Sequence, residues 1–145
     1  MAKSADLVKE VLFGFDKENF YLALQWTGSP PLLGGDAVRL KFTAPRNAEL
    51  WLGGLRDKTK GQVKRELRGN WAGEQAANGR AVEAAHDRML EVAIPWQVFG
   101  QVAGEKLAFS ISVESGGHVQ EEHPSEGVIA LQIPSSGFTS DDWLV

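Results

Sequence analysis

A chain of 145 residues with a formal net charge of −4 and no cysteine fits one domain that buries a core without disulfide or metal support. Thiolate chemistry and zinc sites of the cysteine type are excluded, and the acidic balance argues against a nucleic-acid partner, which requires clustered lysine and arginine. No apolar run approaches the ~20 residues of a membrane span.

The first residues, MAKSADL, lack an apolar core segment, so no signal peptide is expected and a cytoplasmic place is favoured over a secreted one. From Val11 onward almost every periodic segment has a period of two. Val11, Phe13 and Phe15 share one face, and the polar turn Asp16-Lys17-Glu18-Asn19 leads into Phe20, Leu22, Leu24 and Trp26 on the next strand. Two alternating runs joined by a four-residue turn predict a β-hairpin. The loop TGSPPLLGG (27–35) follows, then Val38-Arg39-Leu40-Lys41-Phe42, apolar on one side and basic on the other. Pro45-Arg46-Asn47 predicts a turn and Ala48 to Leu52 another strand.

The basic stretch from Arg56 to Arg68 is interrupted by Asp57 and Glu66 and is expected to be a solvated strand pair. Within it, Lys60 to Leu67 predicts an edge strand whose lysines discourage pairing with other chains. Residues 69–79 read as loop, and 80–85 as a short strand. In Met89 to Gly100, Leu90, Val92 and Ile94 alternate with Glu91, Ala93 and Pro95 before the pattern breaks at Trp96. Proline removes a ladder donor and suits the start of a helical turn, so Pro95 marks where the strand leaves the sheet. Trp96 and Phe99 are then expected to fold over one end as an apolar lid. Leu107, Phe109, Ile111 and Val113 alternate next, and Ile129, Leu131 and Ile133 form the last expected strand, ended by Pro134. Eight to ten short strands without an amphipathic helix predict an all-β fold: a single antiparallel β-sandwich of jelly-roll or immunoglobulin-like type over residues 1–145.

Arg88 to Trp96 with Gly104 and Leu107-Ala108-Phe109, and Phe13 to Leu22 with its D-x-x-N-hydrophobic-Tyr-Leu hairpin, resemble the superfamily of β-sandwiches that includes family 9 carbohydrate-binding modules and DOMON domains. Glu121-Glu122-His123-Pro124, Gly127 to Leu131, Ile133-Pro134 and Trp143 look like the C-terminal region of glycoside hydrolase family 57 and glucodextranase-type proteins. The resemblance covers residues 10 to 143. It implies a non-catalytic accessory domain, part of a longer chain, that binds a polysaccharide or oligosaccharide or packs against the parent chain's catalytic domain as a structural module. It carries no catalytic residue across.

Sugar recognition on a sandwich needs flat aromatic faces outside the core, with carboxylates or amides nearby for the hydroxyls. Trp26 and Trp96 are expected in the core and at the corner. Trp51 points away from Leu50 and Leu52 and lies alongside Glu49; Trp71 sits in a loop with amide and carboxylate neighbours; Tyr21 lies on the outer face of the hairpin. These four, Trp51, Trp71, Glu49 and Tyr21, are the candidate carbohydrate-binding residues. Asp16, Glu18 and Asn19 crowd one turn with oxygen ligands that could hold calcium, although bonds within the turn explain Asp16 and Asn19 as well. No other cofactor is expected. His86, His118 and His123 lack zinc spacing, and His86 with Met89 is a weak match to haem-binding DOMON domains. Glu121 and Glu122, as strand neighbours, should point apart and not form a glycosidase pair. Glu91 is expected to pair with Arg88 or Lys106.

Overall fold

A computed structural model of the chain describes residues 7–27, 37–55, 63–72, 82–100, 103–134 and 142–144. Among these residues eleven strands follow one another: β1 (Val8–Phe15), β2 (Asn19–Trp26), β3 (Ala37–Ala44), β4 (Ala48–Gly53), β5 (Lys64–Gly69), β6 (Glu83–His86), β7 (Met89–Pro95), β8 (Lys106–Ser115), β9 (His118–His123), β10 (Ile129–Gln132) and β11 (Asp142–Leu144). They form two antiparallel sheets. The first has the order β11-β1-β2-β7-β6; the second has the order β10-β8-β3-β4-β5, with β9 also paired to β8. The fold is an all-β sandwich in a single domain.

Period-two patterning builds the core directly. Phe20, Leu22 and Leu24 of β2 and Leu90, Val92 and Ile94 of β7 face Val38, Leu40 and Phe42 of β3, Leu50 and Leu52 of β4, and Leu107, Phe109, Ile111 and Val113 of β8, all buried. Aromatic edges cross between the layers: Phe20 meets Phe109 at 5.3 Å and Phe42 at 6.4 Å between ring centroids. Such pairs contribute about 0.5–1.5 kcal/mol each beyond their burial.

The corner at Pro95-Trp96 forms as expected. Pro95 ends β7 opposite Asn19, and Trp96–Phe99 makes one 3-10 turn. Trp96 is buried; its indole N–H donates to the Asp16 carbonyl at 2.8 Å, and its backbone N–H donates to the Glu18 carbonyl at 3.0 Å. The turn thus stitches the end of β7 to the β1–β2 hairpin, and Phe99 packs with Phe42 at 5.0 Å.

Some elements differ from expectation. The polar edge strand is β5, Lys64–Gly69, which overlaps the expected Lys60 to Leu67 and runs two residues beyond it, with 60–62 outside the described residues. The loop 28–35 and most of 69–79, namely 73–79, also lie outside them. Two strands escape alternation altogether. β9 carries HVQEEH, in which the inward positions are taken by Glu121 and His123, opposite Val113 and Ile111. β11 is three residues long and pairs with β1, so Ile129–Gln132 is not the last strand.

Candidate functional site

The four candidate sugar-binding residues divide between the two sheets. Alternation in β4 turns Ala48, Leu50 and Leu52 inward and Glu49, Trp51 and Gly53 outward. Trp51 is half-buried, opposite Arg39 on β3 and Glu66 on β5. A Cβ added to Gly53 would stand 2.1 Å from Cη2 of Trp51, and 2.5 and 2.6 Å from the two ring atoms bonded to it. Two nearly equal and slightly longer distances place that point on the ring normal. The six-membered ring of the indole therefore lies face-on against Gly53. Only glycine leaves room for this, since any side chain at position 53 would occupy the ring.

Trp51 differs from Trp26, Trp71 and Trp96 in its N–H. Trp26 donates to His86 at 2.9 Å, Trp71 to the Glu49 carbonyl at 3.0 Å and Trp96 to the Asp16 carbonyl. Among the described residues Trp51 makes no hydrogen bond and no buried side-chain nitrogen lacks a partner. Its N–H is therefore open to solvent.

The charges around it form a lattice. Arg39 donates to Glu49 at 2.8 Å and to Glu114 at 2.9 Å, contacts that push its guanidinium further above its ordinary range, Glu114 most. Arg68 donates to Glu66 at 2.7 Å. On the same face a shallow groove of about 560 Å³ is lined by Arg39, Lys41, Thr43, Asn47, Glu49 and Arg68, among others.

Trp71 has a different place from the one its loop setting indicates. It is half-buried against Phe42 at 5.7 Å and Phe99 at 5.4 Å, and its N–H is spent on backbone. Ala72 N–H also donates to the Val98 carbonyl at 2.7 Å. Trp71 is thus a plug at the aromatic end of the sandwich. No local pattern distinguishes it from Trp51, because what buries it is the distant 3-10 turn.

Tyr21 lies on the outer face of the other sheet. Its hydroxyl donates to Asp16 Oδ2 at 2.7 Å and accepts from Asn19 Nδ2 at 3.1 Å; the first bond raises the phenol above its usual range. Asp16 Oδ1 accepts the backbone N–H groups of Glu18 and Asn19, both at 2.8 Å. Burial, the largest single influence, raises the Asp16 carboxyl, but these bonds together outweigh it and hold it below the ordinary carboxylate range. The turn therefore uses Asp16 and Asn19 for its own closure, while Glu18 is exposed. Among the described residues no group of three or more His, Asp or Glu is placed to hold a metal ion.

Beside Tyr21 the first sheet carries a groove of about 410 Å³ floored by Ala23, Ala85 and Ala93 and flanked by Glu83 and Glu91. The pairing expected of Glu91 does not form: Lys106 belongs to the other sheet, and Glu91 has no ion pair among the described residues. His86 faces inward opposite Leu90 while Met89 faces out, so they share no face. His118 is exposed, and His123 is bonded to Glu121 at 2.6 Å.

Set against models of known families, characterised proteins and solved structures, the chain matches none of them.

Glu121 is the residue whose role the sequence concealed. Glu122 points outward, but Glu121 turns in and accepts the backbone N–H groups of Leu7 at 2.7 Å and Val8 at 2.9 Å. A strand of the second sheet thereby clamps the start of the first, and the two glutamates do not converge.

Proposed function

We propose that this domain is a non-catalytic carbohydrate-recognition module serving a glycan-processing enzyme, with the outer face of the second sheet as its binding surface. One observation carries the reading: Trp51, half-buried on the outer side of the sheet, lies flat on Gly53 and spends its N–H on no partner among the described residues. A pyranose ring stacks its C–H face on such an indole, and the N–H is left to bond a hydroxyl. Asn47 and Thr43 in the adjoining groove add neutral polar groups. Trp71 serves the site indirectly, by fixing the backbone of Glu49 through its N–H. Tyr21, on the opposite sheet, takes no part.

Titration of intact protein with maltooligosaccharides, xylooligosaccharides and soluble glucans, followed by tryptophan fluorescence, tests this. A sugar-dependent shift that vanishes in Trp51→Ala supports the reading; a shift unchanged in that variant, or no shift at millimolar sugar, rejects it. A second reading, a structural module packed on a catalytic domain, draws on the alanine-floored groove of the first sheet, which is smooth enough to seat another surface. Protection of Ala85 and Ala93 amides from hydrogen exchange on adding the catalytic domain, with Trp51 unaffected, would favour it.

A further inference from the structure

The charges flanking Trp51 follow a rule that sharpens the reading above, on which this inference rests. On the outer face of β3 to β5 the carboxylates are Glu49 and Glu66, and both are held by arginine. Arg39 is bonded by Glu114 as well. The two lysines there, Lys41 and Lys64, are exposed and have no ion partner among the described residues. Lys41 lies opposite Glu49 in the ladder, yet Glu49 is taken by Arg39.

Register fixes where these free cations stand. Trp51 lies opposite Arg39 and Glu66, Lys41 lies opposite Glu49, and Lys64 lies opposite Gly53. The lysines are therefore two of the diagonal neighbours of Trp51, on opposite sides and toward opposite ends of β4. With strands about 4.8 Å apart and two residues spanning about 6.8 Å, each lysine backbone lies roughly 8 Å from that of Trp51. Because the indole leans over Gly53, Lys64 stands beside the stacking surface and Lys41 further along the groove. A lysine side chain bridges such a gap, so a ring on Trp51 would have one free ammonium at its edge and another toward the next unit. Glu122, without an ion partner among the described residues, faces the same side but on β9, three strands away at the far edge.

We propose that this face selects an anionic glycan, one bearing carboxylate groups on its sugar rings, with Trp51 as the stacking platform and Lys41 and Lys64 as the two charge anchors. A neutral sugar would leave both ammonium groups without a counter-charge. The chain as a whole carries −4, so general attraction to polyanions does not explain such binding; it needs this local arrangement.

The test compares oligogalacturonides with maltooligosaccharides of equal length by calorimetry and Trp fluorescence at low and high salt, with a single-stranded oligonucleotide as a third probe. The expected result is tighter binding of the uronate, an advantage that shrinks as salt screens it, and a loss of about two- to fivefold in uronate affinity for each of Lys41→Gln and Lys64→Gln. Those variants should lower maltooligosaccharide affinity less than uronate affinity, while Trp51→Ala should abolish both. Equal affinity for the two sugars, or lysine variants without effect on uronate, overturns the anionic assignment and leaves sugar recognition standing. Loss of neither ligand in Trp51→Ala overturns both proposals. Binding of the oligonucleotide more tightly than the uronate, through the same three residues, overturns the assignment to a glycan.

Discussion

At the scale of single residues, the contrast between Trp51 and Trp71 decides what the molecule offers to a ligand. Both indoles are half-buried, but one lies on glycine with its N–H open and the other lies between phenylalanines with its N–H bonded. Gly53 is what makes the first arrangement possible. Gly53→Ala is expected to displace the ring because the added methyl would sit inside it. On an outer face the indole can swing away, so stability should change by no more than about 1 kcal/mol. Sugar affinity should fall as far as in Trp51→Ala. A Gly53→Ala protein that binds as well as the parent would remove the geometric basis of the platform. Trp71→Ala should behave in the opposite way. It opens a void beside Phe42 and Phe99 and should lower stability by about 2–4 kcal/mol, read as a lower urea midpoint with an unchanged slope.

At the scale of elements, the polar strand β9 shows how function and scaffold compete for the same residue types. Its inward Glu121 and His123 fill a place that hydrophobic residues fill elsewhere, and the return is a clamp on Leu7 and Val8. Burial pushes the Glu121 carboxyl up, but the bonds from His123, Leu7 and Val8 outweigh it and leave the group below its usual range. Removing the carboxylate strands two backbone N–H groups in a partly closed seam. Glu121→Ala should therefore lose about 2–4 kcal/mol, taking 1–3 kcal/mol for each unsatisfied group and partial solvation of both. Hydrogen exchange should show the loss first at the Val8 end of β1, with the β3–β4 pair unaffected; uniform weakening of both sheets would contradict the clamp.

At the scale of the whole molecule, two partly buried titrating groups set how the sandwich responds to acid. His86, on β6, accepts the Trp26 N–H of β2 within the first sheet. Burial favours its neutral form and lowers its pKa from 6.5. The folded chain thus takes up that proton less readily than the unfolded chain, so this contribution is whole above pH 6.5 and is lost as pH falls through the lowered value. Glu121 likewise contributes above its usual 4.5 and loses that contribution as pH falls through its own lowered value. Thermal melts from pH 8 to pH 3 should show two successive declines, the first beginning near pH 6.5. His86→Gln, which keeps an acceptor for Trp26 without titrating near neutrality, should flatten the first decline only. An unaltered pH profile in that variant would remove His86 from the account.

The sequence by itself determined the two layers, the inward faces of β2, β3, β4, β7 and β8, and the corner at Pro95-Trp96. Each of these rests on alternation or on proline's missing donor, which act within a few residues of chain. The outward direction of Trp51 and Glu49 was legible for the same reason. What only the tertiary structure decided is which outward aromatic stays available and which charges stay unpaired. Trp71 is claimed by a turn whose nearest ring lies 28 positions further along, Arg39 draws Glu114 from a strand 75 positions away, and Glu121 reaches back to the first strand across |i−j| of 114. Side-chain partners of that kind are chosen by the crossing of the chain between sheets, and no local pattern encodes that choice.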